Sequence, residues 1–215
     1  MINKPINQFK KVEEKLRIYG KPFIDISLFQ KILEKFAPNY HIKTLSSRWL
    51  IVPIKRGSLY LNLLSAEHNR LLATTILAQY AKDKVYAVWG LYLYNQYHFS
   101  EQMADRVTVY TTDIRGKRII AGYKFIFRQV RPSFFRGIEK ADAQWYGSYN
   151  RMSPERALIE MIKESKWKLE YTDDVYEQMS KGNVSREKIL SLAKKHTSKA
   201  VQVLVEKFLK AWKIW

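Results

Sequence analysis

The chain has 215 residues and no cysteine, which excludes a disulfide framework and thiolate metal sites. Its 47% hydrophobic and 14% aromatic content is that of a folded globule, and no apolar run approaches the roughly 18–20 residues of a membrane span. The net charge is +18, and it is uneven: 12 basic and 4 acidic side chains over residues 1–63, 17 and 14 over 64–180, 9 and 2 over 181–215.

Taken in order, residues 7–19 place Phe9, Val12, Leu16 and Tyr19 at spacings of three and four, which predicts an amphipathic helix stopped by Gly20 and Pro22. A second helix runs to Phe36 from a cap at Asp25 or Ser27, with Ile26, Phe29, Ile32, Leu33 and Phe36 on one face. Pro38 and Asn39 open a short third helix over 39–48. Residues 50–54 are β-rich, Lys55-Arg56-Gly57-Ser58 is a tight turn, and 59–63 return with strand alternation. Three helices followed by a hairpin are the order of a winged helix-turn-helix.

Residues 66–81 read as a helix striped by Leu71, Leu72, Ile76, Leu77 and Tyr80. Residues 85–97 are densely apolar and expected to be buried, as either helix or strand. Residues 106–112 alternate as a strand, with 117–121 expected as its hairpin partner across Asp113-Ile114-Arg115-Gly116. A further strand covers 123–130, and 145–149 is a candidate for another. The remainder is helical: Ser153 caps a helix to about residue 166, Thr172 and Asp173 open one to Met179, Ser185 caps one to His196, and Ser198 caps the last. The expected architecture is α+β. A winged helix-turn-helix occupies residues 1–64, and a mixed domain ending in a helical segment occupies 65–215.

Catalytic constellations are sparse. His41, His68, His98 and His196 fall in different elements and form no zincin motif. Phosphate-binding glycine loops and a nucleophile elbow are missing from the sequence. Asp105, Asp113 and Glu139, with Lys117 and Lys124 nearby, are the residues a metal-dependent nuclease would draw on if they converged. Asp113 is equally accounted for by its turn. We expect a non-enzymatic protein without metal or cofactor, and keep a nuclease or other nucleic-acid-processing enzyme as the alternative. The basic ends favour nucleic acid, because neutralising phosphates releases counterions; a solubilising or lysine-rich thermophile surface is the other reading. Lys43, Thr44, Ser46, Ser47 and Arg48 on the third helix suit a major groove, and Lys55 and Arg56 at the hairpin tip suit the backbone or minor groove. Lys194, Lys195, Lys199, Lys207, Lys210 and Lys213 are a second candidate face or an ordinary solvated one. The N-terminal residues have no apolar signal core, so a cytoplasmic location is expected, with no membrane partner.

Four segments together resemble the AbiEi-type antitoxins, regulators of type IV toxin–antitoxin and abortive-infection systems. They are residues 51–60, with an arginine and a glycine before an aromatic; the aromatic run 86–94; Ser153-Pro154-Glu155-Arg156-Ala157-Leu158; and residues 184–204. The resemblance implies a transcriptional regulator whose winged helix binds inverted repeats in the double-stranded DNA of its own promoter. It also implies a C-terminal domain that counters a nucleotidyltransferase-like toxin without a stable complex.

Overall fold

A computed structural model describes residues 4–47, 50–55, 57–65, 71–144, 146–165, 172–196 and 198–212. The fold is α+β and divides into two compact units, Met1–Tyr80 with Ile120–Gly122, and Ala81–Ile119 with Tyr123–Trp215. The division falls after Tyr80, not after residue 64, because α4 (Ala73–Tyr80) packs on β2 (Ile51–Lys55) of the first unit.

In the first unit α1 (Lys4–Tyr19) buries Val12 and Leu16 completely, with Phe9 and Tyr19 packed at the margin of the core. Gly20 ends it at φ +70°, a backbone that glycine adopts without a Cβ clash. Next comes β1 (Phe23–Asp25), three residues that carry no period to read from sequence. α2 (Ile26–Phe36) buries Phe29 and Leu33. Asp25 is its N-cap residue but makes no side-chain cap bond. The first helical N–H, of Ile26, instead donates to the Ser58 carbonyl at 2.8 Å, which ties the start of α2 to the hairpin tip. α3 (Ile42–Ser47) is shorter than the expected 39–48, since Pro38 and Asn39 form a turn before it.

The hairpin pairs β2 with β3 (Leu59–Asn62), and β1 adds to the other side of β3, giving the order β1-β3-β2 with both pairs antiparallel. Pro53 lacks a ladder donor, and β2 tolerates it as an edge strand. Gly57 in the tip sits at φ +76°. Asn62 is fully buried. Its Nδ2 donates to the carbonyls of Leu16 (3.0 Å) and Lys21 (3.2 Å), and its Oδ1 accepts from the Leu64 N–H (3.1 Å). One amide thus satisfies the end of α1 and the exit of β3.

The second unit has a six-stranded sheet of β4 (Tyr86–Trp89), β5 (Val107–Thr111), β6 (Gly116–Ile120), β7 (Tyr123–Gln129), β8 (Ile138–Asp142) and β9 (Ser148–Met152). Its order is β6-β7-β5-β4-β9-β8. The expected pairing of residues 106–112 with 117–121 is not formed: β5 runs parallel to β7, Val107 opposite Phe125, and β6 bonds to β7 on the far side. The tight turn is Ala121-Gly122, both left-handed at φ +49° and +86°, as a two-residue hairpin loop requires. Residues 85–97 are strand and helix in turn: β4 ends at Gly90, φ +78°, and α5 (Leu91–Gln96) follows. β4 pairs antiparallel with β5 and parallel with β9. The β8–β9 hairpin continues the sheet, and β8 is a strand the sequence reading did not include.

Helices α6 (Pro154–Ser165), α7 (Thr172–Ser180), α8 (Arg186–Lys194) and α9 (Lys199–Trp212) complete the unit, with α6, α8 and α9 packed on one another. Ser153 caps α6 through Oγ, which accepts the Arg156 N–H at 3.3 Å, and Ser185 caps α8 in the same way from Lys188. Leu158, Ile159, Ile162, Ile189, Val205 and Phe208 are completely buried in the shared core. Among the described residues no helix is long and apolar enough to cross a membrane.

Candidate nucleic-acid interface

The N-terminal candidates for DNA contact are Lys43, Thr44, Ser46, Ser47, Arg48, Lys55 and Arg56. α3 carries the first four, packed against β2, which ends at Lys55. Tyr40 and Ile42 face the core and anchor this short helix. Lys43 and Lys55 are exposed, and Thr44 and Ser46 are half-buried. The Thr44 N–H donates to the His41 carbonyl at 2.9 Å. Ser47 closes α3; Arg48 and Arg56 lie outside the described residues. The tip that presents Lys55 is closed by the Ser58 N–H donating back to the Lys55 carbonyl at 3.1 Å. A bulge between Pro53 and Lys55 adds local twist just before it. Two exposed lysines thus come from adjoining elements of the first unit.

Asp105, Asp113 and Glu139 do not converge. Asp105 precedes β5 and Asp113 follows it, and that strand alone spans roughly 13 Å. Glu139 lies on β8, three strand spacings away, roughly 14 Å. A divalent cation needs its oxygens within about 2.6 Å. Each carboxylate instead meets its own cation. Asp105 has Arg106 (3.5 Å) and Lys124 (3.7 Å), Asp113 has Lys84, and Glu139 has Arg151 (2.8 Å). The Lys84 hydrogen bond, with one from Thr111, holds the Asp113 carboxyl below its ordinary value. Among the described residues no group of three or more histidines or carboxylates is placed to hold a metal ion.

The second unit buries charge that the sequence reading left unplaced. Glu160 is fully buried, with Arg156 Nη2 at 2.6 Å, Lys163 Nζ at 3.1 Å and His196 Nε2 at 3.9 Å. The Arg156 guanidinium, 4% exposed, lies 4.7 Å over the Phe134 ring, and its Nε has no hydrogen-bond partner. Burial, then the charge of Arg156, pushes the His196 imidazole below its ordinary value. Its Nδ1 accepts from the Ser198 N–H at 3.1 Å, which leaves Nε2 to carry the proton towards Glu160. Glu155, also buried, accepts the Ser185 N–H at 3.3 Å and so ties α6 to the start of α8. The residues Ser153-Pro154-Glu155-Arg156 therefore do more than cap a helix: Glu155 ties α6 to the start of α8, and Arg156 pairs with Glu160 within α6 and packs on Phe134. Glu160 standing between Ile159 and Met161 in an apolar stretch was the available sequence signal. Lys194, Lys195, Lys199, Lys207 and Lys210 are all exposed, and Lys213 lies outside the described residues.

The chain thus has an α+β fold, and that fold has a counterpart among solved structures. The chain is similar to the RV2827C protein from Mycobacterium tuberculosis, with a TM-score of 0.65 over 95% of this chain and 77% of that one, at 10% sequence identity. At that identity the similarity is one of fold. No protein-family model matches the chain, and no curated protein matches it.

Proposed function

We propose that this protein is a sequence-specific DNA-binding transcriptional regulator whose first unit is a winged helix-turn-helix. The observation that carries the reading is the helix–strand–helix–helix–hairpin order of residues 4–62, with exposed Lys43 on α3 and Lys55 at the hairpin tip. In such a unit α3 enters the major groove and the hairpin meets the adjacent backbone. Lys43, Arg48, Lys55 and Arg56 supply phosphate contacts, and Thr44, Ser46 and Ser47 offer hydroxyls for base edges or phosphates. The net +8 of residues 1–63 supports the same assignment.

The resemblance to AbiEi-type antitoxins extends the proposal: the chain represses its own operon from inverted repeats, and its second unit counters a nucleotidyltransferase-like toxin. The test of DNA recognition is a fluorescence-anisotropy titration against duplex DNA from upstream of the gene, with an unrelated duplex as control. A preference of tenfold or more, about 1.4 kcal/mol, is expected. Equal affinity for both duplexes would refute sequence-specific regulation. The antitoxin role predicts that co-expression relieves growth arrest by a toxin encoded beside it, and arrest that persists would refute that role alone.

A further inference from the structure

The nearly balanced charge of residues 64–180 conceals a local concentration. Residues 114–138 contain seven lysines and arginines and no carboxylate. This segment forms β6, β7 and the 3-10 turn Pro132–Phe134. β6 is an edge strand, with Lys117, Arg118 and Ile119 exposed. Where β7 ends, an open cleft of about 630 Å³ is lined by Arg115, Phe127, Arg128, Gln129, Val130 and Arg131. Half of that lining is arginine.

The cleft is held by its surroundings. The Val130 N–H donates to the Thr111 carbonyl at 2.8 Å, and Gln129 Nε2 donates to the Thr112 carbonyl at 2.9 Å. The Arg128 guanidinium lies 5.1 Å over the ring of the buried Trp89. Glu164, which feels the Arg128 charge, takes its own hydrogen bond from the Tyr94 hydroxyl at 3.3 Å. The charges are therefore placed, and among the described residues no carboxylate forms an ion pair with Arg115, Arg128 or Arg131.

We propose that this cleft binds the phosphates of single-stranded nucleic acid. Guanidinium groups match phosphate oxygens with paired N–H donors. A duplex is a convex cylinder, engaged by elements that protrude into its grooves. A concave cleft walled by arginines instead admits one backbone, leaving the bases free to lie on guanidinium planes or along the exposed β6 edge. RNA and DNA strands share the phosphodiester chemistry, and the experiment separates them. The proposal does not rest on the N-terminal reading.

The full-length chain is titrated with labelled RNA and DNA single strands of about 16 nucleotides and with an unrelated duplex. Replacing Arg115, Arg128 and Arg131 together by alanine is expected to weaken single-strand binding at least tenfold. The salt slope should fall by about 2, from about 0.7 per lost phosphate contact. Duplex affinity should change less than threefold. A loss on both strands identifies a backbone reader, and a loss on RNA alone identifies RNA as the ligand. Unchanged single-strand affinity, a loss on duplex alone, or lost binding only to a polyglutamate peptide would each overturn the proposal. Arg128 packs on a buried ring, so Arg115→Glu with Arg131→Glu, both at exposed positions, repeats the test with less risk to folding. Lys43→Ala with Lys55→Ala, which addresses the duplex reading, is expected to leave single-strand affinity within threefold.

Discussion

The two units treat charge in opposite ways. The first surrounds an apolar core with exposed cations, and the polar groups it buries are neutral: the Asn62 amide and the hydroxyls of Ser65, Thr74 and Thr75. The second takes Glu155, Arg156 and Glu160 into its interior and, through Glu155, ties α6 to α8. In the first unit Lys43 and Lys55 are exposed. In the second, part of the charge holds the fold, and only the remainder, such as the arginines of the β7 cleft, faces outward. Counting lysines and arginines along a sequence does not separate these uses.

The largest expected effect breaks the second half of that contrast. Glu160→Gln leaves the buried Arg156 guanidinium without its counter-charge, and we expect a loss of about 3–5 kcal/mol in chemical denaturation. Replacing both partners, Arg156→Met with Glu160→Leu, should recover most of it. A pair whose double replacement is as damaging as the single one would show that the ions are not coupled.

Asn62→Ala tests the neutral counterpart. It removes the Asn62 bonds to the carbonyls of Leu16 and Lys21 and from the Leu64 N–H, and a loss of about 2–3 kcal/mol is expected. That change should fall on the first unit alone, read as lost amide-exchange protection in residues 4–62. Protection lost equally in both units would remove the contrast.

A smaller effect concerns pH. The His196 pKa is lowered in the folded chain, so the native imidazole stays neutral while the unfolded one takes up a proton below its ordinary value of about 6.5. Its contribution is absent above that pH and becomes a loss of stability as pH falls through it. His196→Gln should therefore show a shallower decline than the parent between pH 7 and pH 5.5, and parallel declines would contradict this.

Much of the fold was legible because periodicity reports burial. The three-and-four spacing in α1 and α2 marks the residues that are buried, and the alternation of β7 puts Phe125 and Phe127 inward and Lys124 and Arg128 outward. β1 escaped because three residues show no period. The strand pairing was misread because Asp113 to Gly116 has turn chemistry, whereas Ala121-Gly122, the turn that joins β6 to β7, requires an alanine in left-handed backbone. Residues 85–97 held both answers, divided at Gly90. At the candidate interface, Lys43 and Lys55 are exposed. The buried Arg156–Glu160 pair was hidden because an i,i+4 pair looks the same on a solvated helix face and in a core.

The central claim is that exposed cations on α3 and the hairpin tip hold duplex DNA. The most direct measurement is the salt dependence of duplex binding by the parent chain and by Lys43→Ala with Lys55→Ala. Two lost phosphate contacts should lower the slope of log affinity against log salt by about 1.8, with melting temperature unchanged. An identical slope and affinity in a folded variant would contradict the account.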